Sequence, residues 1–166
     1  VPMVEPEVLM DGGHSVDDCY SATERSLKSL FKHLIENDVN IKGTILKPNM
    51  ITSGSTATEQ ASINEVAKMT IDCLLNNVPS SLPGITFLSG GQSDILATAH
   101  LNAMNKLDGL LWKVSFSYGR ALQASALKAW MGKPENIFIS QDALSHRAKM
   151  NKLASLGEWD ESLEDE

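Results

Sequence analysis

Cysteine is scarce in these 166 residues: Cys19 and Cys73 are the only two, and they form no CxxC pair. That speaks against a disulfide framework or a cysteine-built metal centre and leaves two buried thiols in a reducing compartment as the expectation. No run of about 20 apolar residues occurs, so no membrane-spanning helix is expected. Nor does any segment have the layout of a secretory leader. Basic residues are also in deficit, 14 against 21 acidic ones, for a formal net charge of −7. A nucleic-acid binder needs a basic face, so nucleic acid is not expected as a partner. A local basic pocket for a phosphorylated metabolite is still compatible, because net charge does not describe single sites. The four histidines (His14, His33, His100 and His146) show no HExxH or other ligand spacing. Surface or capping roles are expected for them, with no metal site and no cofactor.

What is present is an ordinary globular balance, 42% hydrophobic and 21% charged. The length suits one domain with a usable core. It falls short of a complete eight-fold βα barrel, which needs about 250 residues. The chain opens at Val1 inside an apolar stretch, and a missing N-terminal portion is expected.

Four strand-like runs punctuate the sequence: residues 1–7, 43–49, 85–89 and 114–118, rich in β-branched and large apolar residues. Helical patterns lie between and after them. Ser15 can cap a helix running to Glu36, with Asp17 and Asp18 in its first turn and Leu27, Leu30, Phe31, Leu34 and Ile35 on one face. Ser62 with Glu65 reads as a capping box opening a helix to Asn76. Further helices are expected over 94–106, over 120–131 and from 134 or 135 to 156, with Gly157 just past the last. Strands alternating with helices imply a parallel sheet with right-handed crossovers. Half of a closed barrel and a small open doubly wound sheet both fit. Residues 158–166, EWDESLEDE, read as an acidic flexible tail outside a folded unit of residues 1–157.

In parallel α/β folds functional groups gather at the carboxyl ends of the strands. The first run ends in Glu5 and Glu7, the second carries Lys47, the third ends in Ser89-Gly90-Gly91 and the fourth in Gly119-Arg120. Lys47 lies deep in an apolar run, where a lysine is seldom buried unless paired or used. It is either a nucleophile, its amine kept neutral by desolvation and nearby cations, or a structural partner for a carboxylate. Glu5 and Glu7, two apart on a strand, face the same way and form either an acid/base pair or two structural partners of cations. The Ser-Gly-Gly stretch lets backbone N–H groups approach an anion before a helix, and it also fits a plain turn. Arginine at position 120 offers a bidentate fork for phosphate. A lysine amine, two carboxylates and two anion sites on adjacent strands are together more specific than any one of them.

The stretches VPMVEPEVL, GTILKPNM, PGITFLSGGQS and SYGRALQASALKAW resemble, in order, the strand-end signatures of class I fructose-bisphosphate aldolases. Lys47 lies 42 residues after Glu5, and Ser89 lies 42 after Lys47, close to the family spacing. The resemblance extends from Val1 to about Gly157. It implies a (β/α)8 TIM barrel, this chain supplying strands five to eight and the C-terminal helices. It also implies Lys47 as the Schiff-base lysine, Glu5 as acid/base, Glu7 as its assistant, and a phosphate held by Ser89, Gly90, Gly119 and Arg120. The reaction implied is reversible cleavage of fructose 1,6-bisphosphate into dihydroxyacetone phosphate and glyceraldehyde 3-phosphate. That reaction belongs to glycolysis and gluconeogenesis, needs no metal, and is carried out by a cytoplasmic homotetramer. The chain departs from the family in two ways. The first four strands, with their aspartate, lysines and arginine, are absent, and the chain ends in Glu166 where the family commonly ends in a tyrosine. The isolated chain is therefore expected to be an inactive fragment. The rival expectations are a non-enzymatic sugar-phosphate-binding or scaffold domain and a pyridoxal phosphate enzyme, in which a lysine also forms an imine.

Overall fold

The computed structural model describes residues 1–165. Four parallel strands lie in sequence order, β1 (Met3–Val4), β2 (Ile45–Leu46), β3 (Gly84–Phe87) and β4 (Lys113–Phe116). Each is followed by a helix: α1 (Val16–Glu36), α2 (Ile63–Asn77), α3 (Asp94–Asn105) and α4 (Arg120–Trp130). A last helix, α5 (Ile137–Ala154), follows a short 3-10 turn at Pro134–Asn136. Four βα units in unbroken order make half of the eight that close a barrel. Both outer strands, β1 and β4, have one unpaired edge.

The helices begin where local chemistry dictates. Ser15 and Asp18 form a reciprocal capping box on α1, as Ser62 and Glu65 do on α2. Ser93 caps α3. Gly157 stands in the left-handed region (φ 72°) just past the last helix, as the sequence predicts. The first two strands are much shorter than their apolar runs because proline removes ladder donors. β1 is pinned by Ile45 N–H donating to the Pro2 carbonyl and Lys47 N–H to the Val4 carbonyl, and it ends before Pro6. β2 ends before Pro48, and a 3-10 turn at Ile41–Gly43 takes up the first residue of its expected run, Gly43.

Alternation along the strands divides the sheet into two faces. Leu46, Ile85, Phe87 and Val114 are buried with Leu27, Phe31, Ile71, Leu74, Leu101 and Met104 of the helices in one core. The intervening residues Lys47, Thr86 and Ser115 are only half-buried and lie on the opposite face. That second face would become the interior of a closed barrel.

The sequence sets residues 158–166 apart as a flexible acidic tail, and packing corrects that division through residue 165. Trp159 is buried in the same core, and Asn102 of α3 holds its backbone on both sides, donating to its carbonyl at 3.0 Å and accepting its N–H at 3.1 Å. A 3-10 turn follows at Glu161–Asp165. Glu164 accepts from the buried Arg147 guanidinium at 2.9 Å and from the Trp159 indole at 2.8 Å. The acidic residues gave no hint of this, because the indole and the arginine that order them are separated in sequence. Glu166 lies outside the described residues.

Candidate active site

The carboxyl ends of the strands gather most of the groups singled out above. Lys47 stands immediately after β2, its backbone held by β1 and followed by buried Pro48. Its Nζ lies 2.7 Å from Glu5 Oε1, with the lysine side chain 18% exposed and the glutamate 48%. Among the described residues this ion pair joins two of the candidate chemical groups directly. Glu7 is exposed and forms no hydrogen bond or ion pair among the described residues, so the expected pairing of two carboxylates is replaced by a carboxylate on a lysine. Leu46 is in register with Ile85, which sets Lys47 beside Thr86, whose hydroxyl is buried without a partner.

The next two strands end in groups suited to an anion. After β3 the chain turns through buried Ser89 and then Gly90 (φ 60°) and Gly91 (φ 91°), both in the left-handed region that glycine adopts without cost. Arg120 opens α4, exposed and without a carboxylate partner among the described residues. A methyl group at Gly91 would stand 3.8 Å from Arg120 Nη2 and 3.3 Å from Met10 Sδ, so the glycine loop, the guanidinium and the segment after β1 converge. Gly119 caps α4 without a side chain, leaving the first amides of that helix open. Net negative charge elsewhere does not prevent this corner from attracting an anion, since backbone N–H groups and a fork of guanidinium donors are local. A groove of about 560 Å³ lies between α1, α2 and the segment after α3, lined by Tyr20, Met69, Leu75 and Leu107, and none of the candidate residues borders it.

Three supporting residues escaped sequence reasoning. Asn49 is buried and binds three elements: its Oδ1 accepts from Val8 N–H at 3.0 Å, and its Nδ2 donates to Thr23 Oγ1 and the Met50 carbonyl. Gln92 and His100 are also buried, under the glycine loop. For His100 this corrects the expected surface or capping role. Its place on the apolar stripe with Ala97, Leu101 and Met104 was the available signal. Among the described residues no cluster of histidine, cysteine, aspartate or glutamate could hold a metal ion.

Comparison with known proteins bears on the same residues. A family model described as fructose-bisphosphate aldolase class-I matches residues 1–166. A probable fructose-bisphosphate aldolase class 1 of Xylella fastidiosa is 55% identical over 160 residues, covering 96% of this chain and 48% of that protein. Fructose-bisphosphate aldolase 2 of Caenorhabditis elegans is 51% identical, covering 96% of this chain and 44% of its own. The Plasmodium falciparum aldolase, crystallised with TRAP and a small-molecule inhibitor, superposes with a TM-score of 0.94 at 46% identity and covers 96% of this chain and 46% of its own. The chain thus spans about half the length of the relatives it matches, and its four βα units are the C-terminal half of a (β/α)8 barrel. The chain belongs to the class I fructose-bisphosphate aldolase family.

Proposed function

We propose that the whole protein of which this chain forms a half is a metal-independent aldolase that cleaves fructose 1,6-bisphosphate through a Schiff base on Lys47. The observation that carries this reading is the 2.7 Å pair of Lys47 and Glu5 beside an anion-suited corner at Ser89–Gly91 and Arg120. A lysine attacks only as the neutral amine, and the adjacent carboxylate is placed to take its proton. Lys47 Nζ then adds to the ketone carbon. Glu5 returns a proton as water leaves, and an iminium forms. That cation withdraws electrons from the C3–C4 bond. When Glu5 removes the C4 hydroxyl proton, the bond breaks, the aldehyde departs, and the electron pair remains as an enamine. Protonation at C3 and addition of water release dihydroxyacetone phosphate and free Lys47. Glu7, two residues further along the chain, assists these transfers. Ser89, Gly90, Gly119 and Arg120 hold the phosphate and so fix the ketone against the amine, which lowers the barrier through positioning.

The reading extends to a cytoplasmic homotetramer for the parent, the compartment being supported by free, buried Cys19 and Cys73. Borohydride reduction in the presence of dihydroxyacetone phosphate tests the central claim. In the complete protein we expect a mass adduct on the peptide containing Lys47, absent in Lys47→Arg. An adduct on another lysine would sink the assignment. The isolated chain, lacking the other half of the barrel, is expected to show no turnover above background.

A further inference from the structure

Beneath the glycine loop lies a buried polar relay of which the steps above use only Ser89. Ser89, Gln92 and His100 are 5%, 8% and 3% exposed. The Ser89 carbonyl accepts two hydrogen bonds from Gln92, from the backbone N–H at 3.0 Å and from Nε2 at 3.1 Å. A carbonyl only accepts, so the amide nitrogen of Gln92 must face it, and the amide oxygen must face His100. That oxygen also only accepts, so His100 Nδ1, 2.6 Å away, carries its hydrogen. A neutral imidazole suffices for this, and burial pushes the His100 pKa down to about 4.

The relay has a directional consequence. In a trans peptide the carbonyl and the following N–H point opposite ways, and no cis bond occurs among the described residues. Tying the Ser89 carbonyl toward the interior therefore turns the Gly90 N–H away from it. We propose that Gln92 and His100 are positioning residues that fix the Gly90 amide toward a phosphate monoester and so set the affinity of this loop. The inference rests on the reading of Ser89–Gly91 and Arg120 as the phosphate site. Without the side chains of the relay, the Ser89 carbonyl keeps only the Gln92 backbone N–H, the glycine pair holds its peptide planes less firmly, and the anion must then supply more of the ordering energy at the moment of binding.

The test titrates inorganic phosphate into the 15N-labelled chain and follows the Gly90 and Gly91 amide resonances. Gln92→Met, which keeps the volume and loses the side-chain bonds to Ser89 and His100, is expected to raise the dissociation constant roughly tenfold, the size of one lost hydrogen bond. His100→Leu should do the same, and His100→Asn, which retains a donor, should restore most of the affinity. Wild-type affinity in Gln92→Met and His100→Leu, with Arg120→Ala weakened, overturns the relay and leaves the anion site standing. A lowered melting temperature with unchanged affinity would likewise reduce the relay to packing. Absence of phosphate binding by the wild-type chain, or unchanged binding in Arg120→Ala, overturns the underlying site and the inference with it.

Discussion

His100 makes the core sensitive to protons. Its folded pKa, near 4, lies below the ordinary 6.5 because burial disfavours the charged ring. The unfolded chain therefore binds a proton that the folded chain refuses. Stability from this residue is complete above about pH 6.5 and is lost as the pH falls toward 4, by roughly 2 to 3 kcal/mol. Urea unfolding of the wild type should show falling stability between pH 7 and 5, and His100→Asn should flatten that slope. Below it a second decline is expected. Burial works against the ionised carboxyls of Glu164 and Asp94, but Arg147 with Trp159, and Ser125 with Arg147, outweigh it and hold both below their usual range. Their stabilisation is present above the ordinary carboxylate values and disappears as those carboxyls protonate. Burial also raises Cys73 to about 12, so alkylation of the folded protein by iodoacetamide should be slow at pH 8, with fast reaction counting against the packing around α2. At this scale the sequence speaks clearly wherever the signal is local. The serine caps and Lys47 were readable because their partners lie within three residues or on a flanking strand. Gln92 and His100 were not, because their pairing depends on how the loop folds over α3.

Two loops crossing above the strand ends hold the front of the site. Ser55 and Thr56 donate their N–H groups to the carbonyls of Met10 and Gly12, and Gly54 donates to His14. Gly54 is the tightest point, since a methyl group there would stand 2.2 Å from the Gly12 carbonyl oxygen. Gly54→Ala should therefore cost roughly 2 to 4 kcal/mol, read as a lower denaturation midpoint, because backbone on both sides must shift. The latch on the last turn is as exacting. Glu164→Gln leaves Arg147, 6% exposed in its side chain, without its main counter-charge, and a loss of roughly 3 kcal/mol is expected. A midpoint unchanged by that substitution would show that the segment does not hold in solution. The helices were legible almost to the residue from caps and periodicity, whereas each strand shrank. Apolar runs of five to seven residues look like strands, but in the first two runs Pro2, Pro6 and Pro48 decide how much can join the ladder.

For the molecule as a whole, four parallel strands with two open edges are an unfinished surface. Leu127, Trp130, Met131, Ile137, Phe138 and Ile139 are exposed around the end of α4 and the start of α5, an apolar cluster of the kind that favours association. The chain by itself is expected to sediment as more than monomer, with a mass that rises with concentration, and a strict monomer at high concentration would contradict this. The alternation of strands and helices was enough to indicate a parallel sheet, but it could not separate a half barrel from an open sheet, since both share the same βα order. The fastening of residues 158–165 has one more consequence, a mechanical one. Arg147 grips Glu164 and, 3.7 Å away on its other side, faces Asp94 at the start of α3, to which Ser125 of α4 also donates. A force drawn through the carboxyl terminus thus reaches the two helices that flank the glycine loop. Pulling on that end would load this corner through Arg147 before the strands themselves are strained.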